Sequence, residues 1–337
     1  AGTPAVSGGW KELGRTTLGS AGDTISVASL PDKRYYMILS HAYQTGGATE
    51  FTTRFNSDTG ANYSSRGSSN GASDNTGVSK TYIRDSVEGV GADIGINGLY
   101  VGYVSNLSTK EKLLQTWTAL NTTAGAGTAP SRTESVGKHA QTSNPIDEIT
   151  LTNIDSGSYD TDSEVVILGW DPTDTHTTNF WEELANVDYQ SGGALVVSTP
   201  TFTAKKYLWV QAYVKQASPY ACGMTFNGDT TRGSTNYAFR YSAIGNADGT
   251  HVNTWSTIKN YSSLAGGGMF FNAFIINNAS NEKLVIGHTS ENSATGAGTA
   301  PNRVESVAKW NDTTNSITNV NIIGETGSGN ISDGTQI

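Results

Sequence analysis

Residues 125–138 read GAGTAPSRTESVGK and residues 296–309 read GAGTAPNRVESVAK, identical at eleven of fourteen positions at an offset of 171. The offset recurs. Phe55-Asn56-Ser57-Asp58 answers to Phe226-Asn227-Gly228-Asp229, and Glu111-Lys112-Leu113 to Glu282-Lys283-Leu284. Trp10 answers to Trp181, and Ile146, Ile149 and Leu151 to Ile317, Val320 and Ile322. A period this long exceeds a solenoid unit and has the size of a domain. The chain is expected to hold one fold twice: copy one over 1–171, a polar, Pro-containing linker over 172–180, and copy two over 181–337.

Each copy is long enough to bury a core of its own. Only 15% of the 337 residues are charged, and Ser, Thr, Asn and Gly take up the difference. With 15 Tyr, 9 Phe and 7 Trp the chain is too aromatic for a disordered one, and the mixture fits strands with uncharged outer faces and polar turns. Alternation predicts strands at 23–28, 35–42, 49–56, 62–68, 80–85, 98–106, 112–120, 131–140, 146–154 and 163–170. In copy two they fall at 193–198, 206–214, 222–227, 236–243, 269–277, 283–289, 302–310 and 317–323. Ten strands in copy one and eight in copy two at this spacing indicate an all-β protein of two tandem antiparallel β-sandwich, jelly-roll-like domains. Copy one closes with SGSYDTDSEVVILGWD and copy two with SGNISDGTQI, which sets Ile337 opposite Val165. The closing strand of copy two is therefore expected to be incomplete. Either the natural chain continues, or a strand from another chain fills the place by strand addition.

The net charge is −9 and no Lys/Arg cluster exceeds a pair, so the footprint of nucleic-acid binding or of a polybasic membrane patch is absent. No apolar run approaches the length of a membrane-spanning helix. The start, AGTPAVSGGW, lacks the charged and apolar regions of an uncleaved secretory leader and fits a cytoplasmic product that has lost its initiator Met, a chain whose leader has been cleaved being the alternative. Cys222 is the one cysteine, which excludes an intrachain disulfide and reads as a small buried hydrophobe.

Chemistry-bearing patterns are few. GAGTAP has loop composition, lacks the Gly-Lys-Ser/Thr of a phosphate cradle, and precedes a strand rather than a helix. Beyond it, Arg132, Glu134 and Lys138, and likewise Arg303, Glu305 and Lys309, share one strand face. They read as a charge ladder with cross-strand partners or, alternatively, as a ligand-binding stripe. Asn56, Asp58, Asn227 and Asp229 recur as a turn in which Asx side chains bond nearby backbone, with Ca²⁺ ligation as the alternative. Asp160, Asp162 and Glu164 alternate at a turn, and no carboxylate pair of glycosidase type occurs in both copies. His41, His139, His176, His251 and His288 neither cluster nor recur at matching places. No catalytic residue, metal site or cofactor is expected. Tyr35, Tyr100, Trp209 and Phe271 are assigned to the core, a sugar-stacking face being the alternative.

Several segments carry a resemblance: Trp10-x-Glu12-Leu13-Gly14-Arg15-Thr16-Thr17-Leu18 leading to Gly22-Asp23-Thr24-Ile25-Ser26-Val27, Arg54-Phe55-Asn56-x-Asp58, Asn62-Tyr63-x-x-Arg66, Glu111-Lys112-Leu113, Arg132-x-Glu134-x-Val136-x-Lys138 and Ser163–Gly169. Together they resemble the jelly-roll or concanavalin-like β-sandwich domains in structural proteins of tailed bacteriophages, especially marine ones. Copy one is covered end to end, whereas copy two lacks the Gly-Arg-Thr-Thr-Leu segment at its start. The resemblance implies a virion part, made in the host cytoplasm, that serves as capsid decoration, fibre or tail component and has no catalytic residues. Expected partners are other virion proteins, with a homo-oligomer or lattice-bound array, and a host glycan as a further candidate. A carbohydrate-binding module or lectin-like adhesin is the alternative.

Overall fold

The structure, a computed structural model, describes residues 6–85, 93–216, 221–257, 267–292, 296–324 and 331–337. The chain divides into two compact units. The first comprises Ala1–Thr122 and Ser131–Glu182, the second Thr123–Pro130 and Glu183–Ile337. Trp181, aligned with Trp10 by the offset, lies in the first unit and packs edge-on against Phe180.

The first unit is an antiparallel β-sandwich. Its eight-stranded sheet runs Lys11–Thr17, Glu164–Trp170, Tyr35–Ala42, Asn97–Ser105, Lys112–Asn121, Ser131–His139, Tyr63–Ser69 and Asn75–Lys80. A four-stranded sheet, Thr24–Ala28, Glu148–Thr152, Thr52–Phe55 and Ile83–Arg84, supplies the other layer. Period-2 alternation turns one face of each strand inward. Ile25, Val27, Phe55, Ile149 and Leu151 of the small sheet meet Tyr36, Ile38, Tyr100, Val104, Leu114 and Ile167 of the large one in a single buried cluster.

The second unit repeats the plan. Its eight-stranded sheet runs Asp188–Tyr189, Thr335–Gln336, Tyr207–Lys215, Gly268–Ile276, Lys283–Glu291, Asn302–Trp310, Tyr237–Ala243 and Gly249–Thr254. The facing sheet is Val196–Ser198, Val320–Gly324 and Cys222–Phe226. Cys222 is fully buried beside Met224 and Phe226. The closing position is occupied by Thr335–Gln336. Gln336 faces Tyr213 where Glu164 faces His41, so two residues stand where the first unit has the seven of Glu164–Trp170.

Three of the described strands of six or more residues lie outside the sequence expectations. Lys11–Thr17, Asn75–Lys80 and Gly249–Thr254 are outermost in their sheets. An edge strand need not present an apolar face, and NTGVSK offers only Val78, which is itself exposed. Alternation is therefore too weak there to read.

The repeated block differs inside the sandwich at two positions, Thr133/Val304 and Gly137/Ala308. A Cβ built on Gly137 would stand 2.4 Å from Cγ2 of Ile83, a contact no real side chain makes. Ala308 is buried without difficulty in the other unit. Gly137→Ala, although it only installs the residue of the other copy, is expected to destabilise the first unit by about 1–3 kcal/mol. Urea unfolding checks this, and an unchanged midpoint would show that Ile83 yields freely.

Candidate functional site: the repeated turn, the charged strand and the aromatic face

The repeated turn is a backbone-holding device. Asn56 and Ser57 have positive φ (54° and 52°), as do Asn227 and Gly228 (51° and 71°), a conformation suited to Asn and Gly. The Asn56 side chain donates to Pro145 O at 2.8 Å and accepts from the Asp147 amide at 2.9 Å. Asn227 likewise donates to Ser316 O and accepts from the Thr318 amide, both at 2.8 Å. Each turn thereby ties one sheet to the loop entering the strand at Glu148 or Val320.

Asp58 accepts hydrogen bonds from the Gly60 amide at 2.7 Å and from Asn62 at 2.8 Å, and lies 2.8 Å from Nε2 of His139. His139 stacks on Tyr63 with ring centroids 4.4 Å apart. Burial works to raise the Asp58 carboxyl, but the bonds from His139, Asn62 and Gly60 outweigh it and hold the group below the usual carboxylate range. In the second unit Trp310 stands in the place of His139, and Asp229 accepts instead from Ser234 at 2.9 Å and Asn236 at 3.2 Å. These bonds leave an open polar depression of about 1060 Å³ beside Asp229, Asn236, Asp312 and Asn315. Because the folded-state pKa of Asp58 is depressed, its stabilisation is present above the unfolded value and is lost as pH falls through the folded one. The first unit is expected to lose thermal stability on acidification below about pH 4, and Asp58→Asn to flatten that dependence. Melting temperature against pH, compared between the two proteins, checks it.

The Glu-Lys-Leu repeat marks a second device. Lys112 and Lys283 are fully buried, and each ammonium caps loop carbonyls. Lys112 donates to Lys110 O and Gln141 O at 3.0 Å and to Ser108 O at 3.3 Å. Lys283 donates to Asp312 O at 2.7 Å and Ala279 O at 3.1 Å and lies over the Trp310 ring. Burial pushes the Lys283 ammonium down to about 8, against the pull of Asp312 and Glu282.

The charged strand residues occupy equivalent strands, Ser131–His139 and Asn302–Trp310, on the face turned away from the core. Arg132 pairs with Glu134 at 3.1 Å and Arg303 with Glu305 at 3.5 Å. Lys138 pairs with Glu111 at 3.1 Å and Lys309 with Glu282 at 3.4 Å. Exposure separates the copies. The Lys138 and Glu111 side chains are 47% and 43% exposed, those of Lys309 and Glu282 1% and 5%.

Of the aromatics assigned to the core, Tyr100 and Phe271 are buried. Tyr35 and Trp209 are not, which corrects that assignment: they lie on outer sheet faces, stacked on Trp170 and Phe274 at 5.3 Å. Alternation identifies one face of a strand but not which face is covered. In the first unit Trp10, Tyr35, Tyr103, Trp117 and Trp170 form a connected, partly exposed group with successive centroids 5.3–6.4 Å apart.

Sequence reasoning missed a buried polar network in the first unit. Arg84 Nε donates to Glu50 at 2.8 Å with both side chains buried. Beside them Asp85 is enclosed, accepts from Thr53 at 3.1 Å, and is raised well above the carboxylate range by burial. Thr53 also bonds Tyr100 OH at 3.0 Å, and Thr133 donates to Asp85 O at 2.7 Å. The second unit has Met224, Phe271 and Val304 in the places of Thr53, Tyr100 and Thr133, so the network belongs to copy one alone. Those substitutions were its only trace in the sequence.

Asp160 accepts from the Thr161 amide, Asp162 takes a positive φ, and Glu164 accepts from Arg15 and Thr17, so the three are spent on a turn and on a sheet edge. The histidines are dispersed: His41 beside Tyr43 and Asn97, His139 on Asp58, His176 on Asn179, His251 against Phe239, and His288 opposite Glu305. Among the described residues no group of three or more His, Cys, Asp or Glu is placed to hold a metal ion, and no helix is long and apolar enough to cross a membrane.

No protein-family model and no curated protein matches the chain. Among solved structures it is similar to the LG1–3 region of the laminin alpha2 chain, at 10% identity and a TM-score of 0.21, over 94% of this chain and 64% of that one. It is also similar to the tesB protein of Mycobacterium avium subs paratuberculosis, at 7% identity and a TM-score of 0.12, over 79% and 80% of the two chains. Likenesses this weak carry no argument about function.

Proposed function

We propose that this protein is a structural or surface-display component of a tailed-phage virion, acting through protein–protein contacts. The observation that carries the reading is what the repeated polar residues do. Asn56 and Asn227, and Lys112 and Lys283, hold backbone in place in both copies, and Asp58 does so in the first, where Asp229 of the second ties down the Ser234 and Asn236 side chains. Side chains of this kind fix the shape of a surface and carry no reaction. The sequence resemblance to virion β-sandwich domains supplies the setting. Duplication suits a lattice or fibre, because two linked modules engage neighbouring positions with raised effective concentration. Gold-labelled antibody raised against the purified protein should decorate intact particles from the same source. Particles that stay unlabelled, with the protein absent from their peptide mass spectrum, would overturn the reading.

A second reading, a glycan-binding adhesin, draws on the aromatic group Trp10, Tyr35, Tyr103, Trp117 and Trp170. Amphipathic rings of this kind are favoured at wet recognition surfaces. A glycan array probed with the native protein and with Trp117→Ala tests it. Signal lost in the variant supports the adhesin, and a blank array with the native protein removes it.

A further inference from the structure

The two GAGTAP loops, Gly125–Pro130 and Gly296–Pro301, share their sequence but not their surroundings. The first is seated within the second unit. The Gly125 amide donates to Glu282, the Lys309 ammonium to Thr123 O, Arg240 Nε to Pro130 O at 3.1 Å, and the Asn253 amide to Ala126 O at 2.8 Å. Ala126, Ala129 and Pro130 are buried there, whereas Ala297, Ala300 and Pro301 are exposed.

The surface that receives the loop is also present twice. Glu282 and Leu284 answer to Glu111 and Leu113, and Val307 and Lys309 to Val136 and Lys138. Tyr237 and Tyr63 hold one place, each with its hydroxyl on the amide of Phe226 or Phe55, which sets Arg240 against Arg66. Asn253 and Ser79 both have positive φ (49° and 53°) and precede Thr254 and Lys80, the partners of those tyrosines. Leu284 and Val307, in the strands whose Glu282 and Lys309 hold the loop, are 0% and 1% exposed; Leu113 and Val136 are 55% and 49% exposed. In register, Leu113 lies directly opposite Lys138 as Leu284 lies opposite Lys309, so the apolar pair and the ion pair form one patch in each unit.

We propose that the exposed Gly296–Pro301 loop of one chain seats on the Glu111–Leu113–Val136–Lys138 patch of a second copy of this chain. The seated loop supplies the geometry. The Gly296 amide meets the Glu111 carboxylate, the Ala297 carbonyl meets the Ser79 amide, the Pro301 carbonyl meets Arg66, and the small Ala and Pro side chains cover Leu113 and Val136. The Lys138–Glu111 pair need not open, because Lys309–Glu282 persists beneath the seated loop. The occupant is a second copy because the loop is complementary to a patch that this same chain leaves exposed. The contact is heterologous, so each added chain brings a new loop and a new patch, and growth runs head to tail. The inference does not rest on the virion reading.

Sedimentation velocity of the full chain, from about 10 µM to about 1 mM, spans the effective concentration a tether would supply. The weight-average mass of the native protein should rise with concentration. Leu113→Glu disables the patch and Ala297→Asp the loop, each by placing a carboxylate where apolar cover is needed, and each should weaken association at least about tenfold. The decisive sample is their mixture. One chain keeps a working loop and the other a working patch, so the mixture should form dimers that grow no further. Val136→Glu replaces Leu113→Glu if circular dichroism shows that variant misfolded. A native protein that stays monomeric throughout, variants that associate like the native chain, or a mixture that does not dimerise would each overturn the proposal.

Discussion

Glu50→Ala is expected to destabilise the first unit by about 3–5 kcal/mol, the cost of removing the buried carboxylate that Arg84 Nε bonds. The pair is enclosed, with Arg84 Nε 2.8 Å from the Glu50 carboxylate. Burial raises the Asp85 carboxyl beside it well above its ordinary value, which disfavours a second carboxylate charge there. The loss should fall on one unit only. In urea unfolding followed by hydrogen exchange, amides of the Tyr35–Ala42 and Asn97–Ser105 strands should lose protection while those of Gly268–Ile276 keep theirs. Equal loss in both units, or a change below about 1 kcal/mol, would mean that the ion pair is not the element holding this network together.

Lys112→Met and Lys283→Met are expected to cost about 2–3 kcal/mol each, one in each unit. Methionine keeps the bulk of the stem but donates no hydrogen bond, so the carbonyls of Ser108, Lys110 and Gln141 lose their shared cap in the first unit. Those of Ala279 and Asp312 do so in the second. Charged donors make the stronger hydrogen bonds, which puts the loss above that of an ordinary surface substitution. Chemical denaturation of each variant measures it. Two variants with native stability would show that water takes over the carbonyls without cost.

Much of the candidate site was legible as pattern. The recurrence of Phe-Asn-x-Asp marked a turn because Asn tolerates positive φ and Asx side chains bond backbone; the Asn does so in both copies and the Asp in the first, while Asp229 bonds the Ser234 and Asn236 side chains instead. Arg132-x-Glu134 and Arg303-x-Glu305 marked one face of a strand through period 2. Exposure was not legible. Leu113 and Leu284 sit in the same tripeptide, yet one is exposed and the other buried, because what covers them comes from elsewhere in the chain. The same limit misplaced Tyr35 and Trp209, whose neighbours Trp170 and Phe274 are brought beside them only by strand pairing.

The sequence by itself determined that the fold is built of strands and built twice, since alternation, turn residues and a domain-sized offset are local or additive properties of the chain. It also determined the register of the second closing position, because aligning the two copies sets Ile337 opposite Val165 and the sheet places Gln336 where Glu164 stands. Only the tertiary structure decided which repeated residues are covered, why Gly137 must lack a Cβ where Ala308 has one, and that Glu50, Arg84 and Asp85 converge inside one copy. Each of these depends on which segments, remote in sequence, pack at one place, and steric exclusion and burial are set by that packing rather than by any residue's own neighbours.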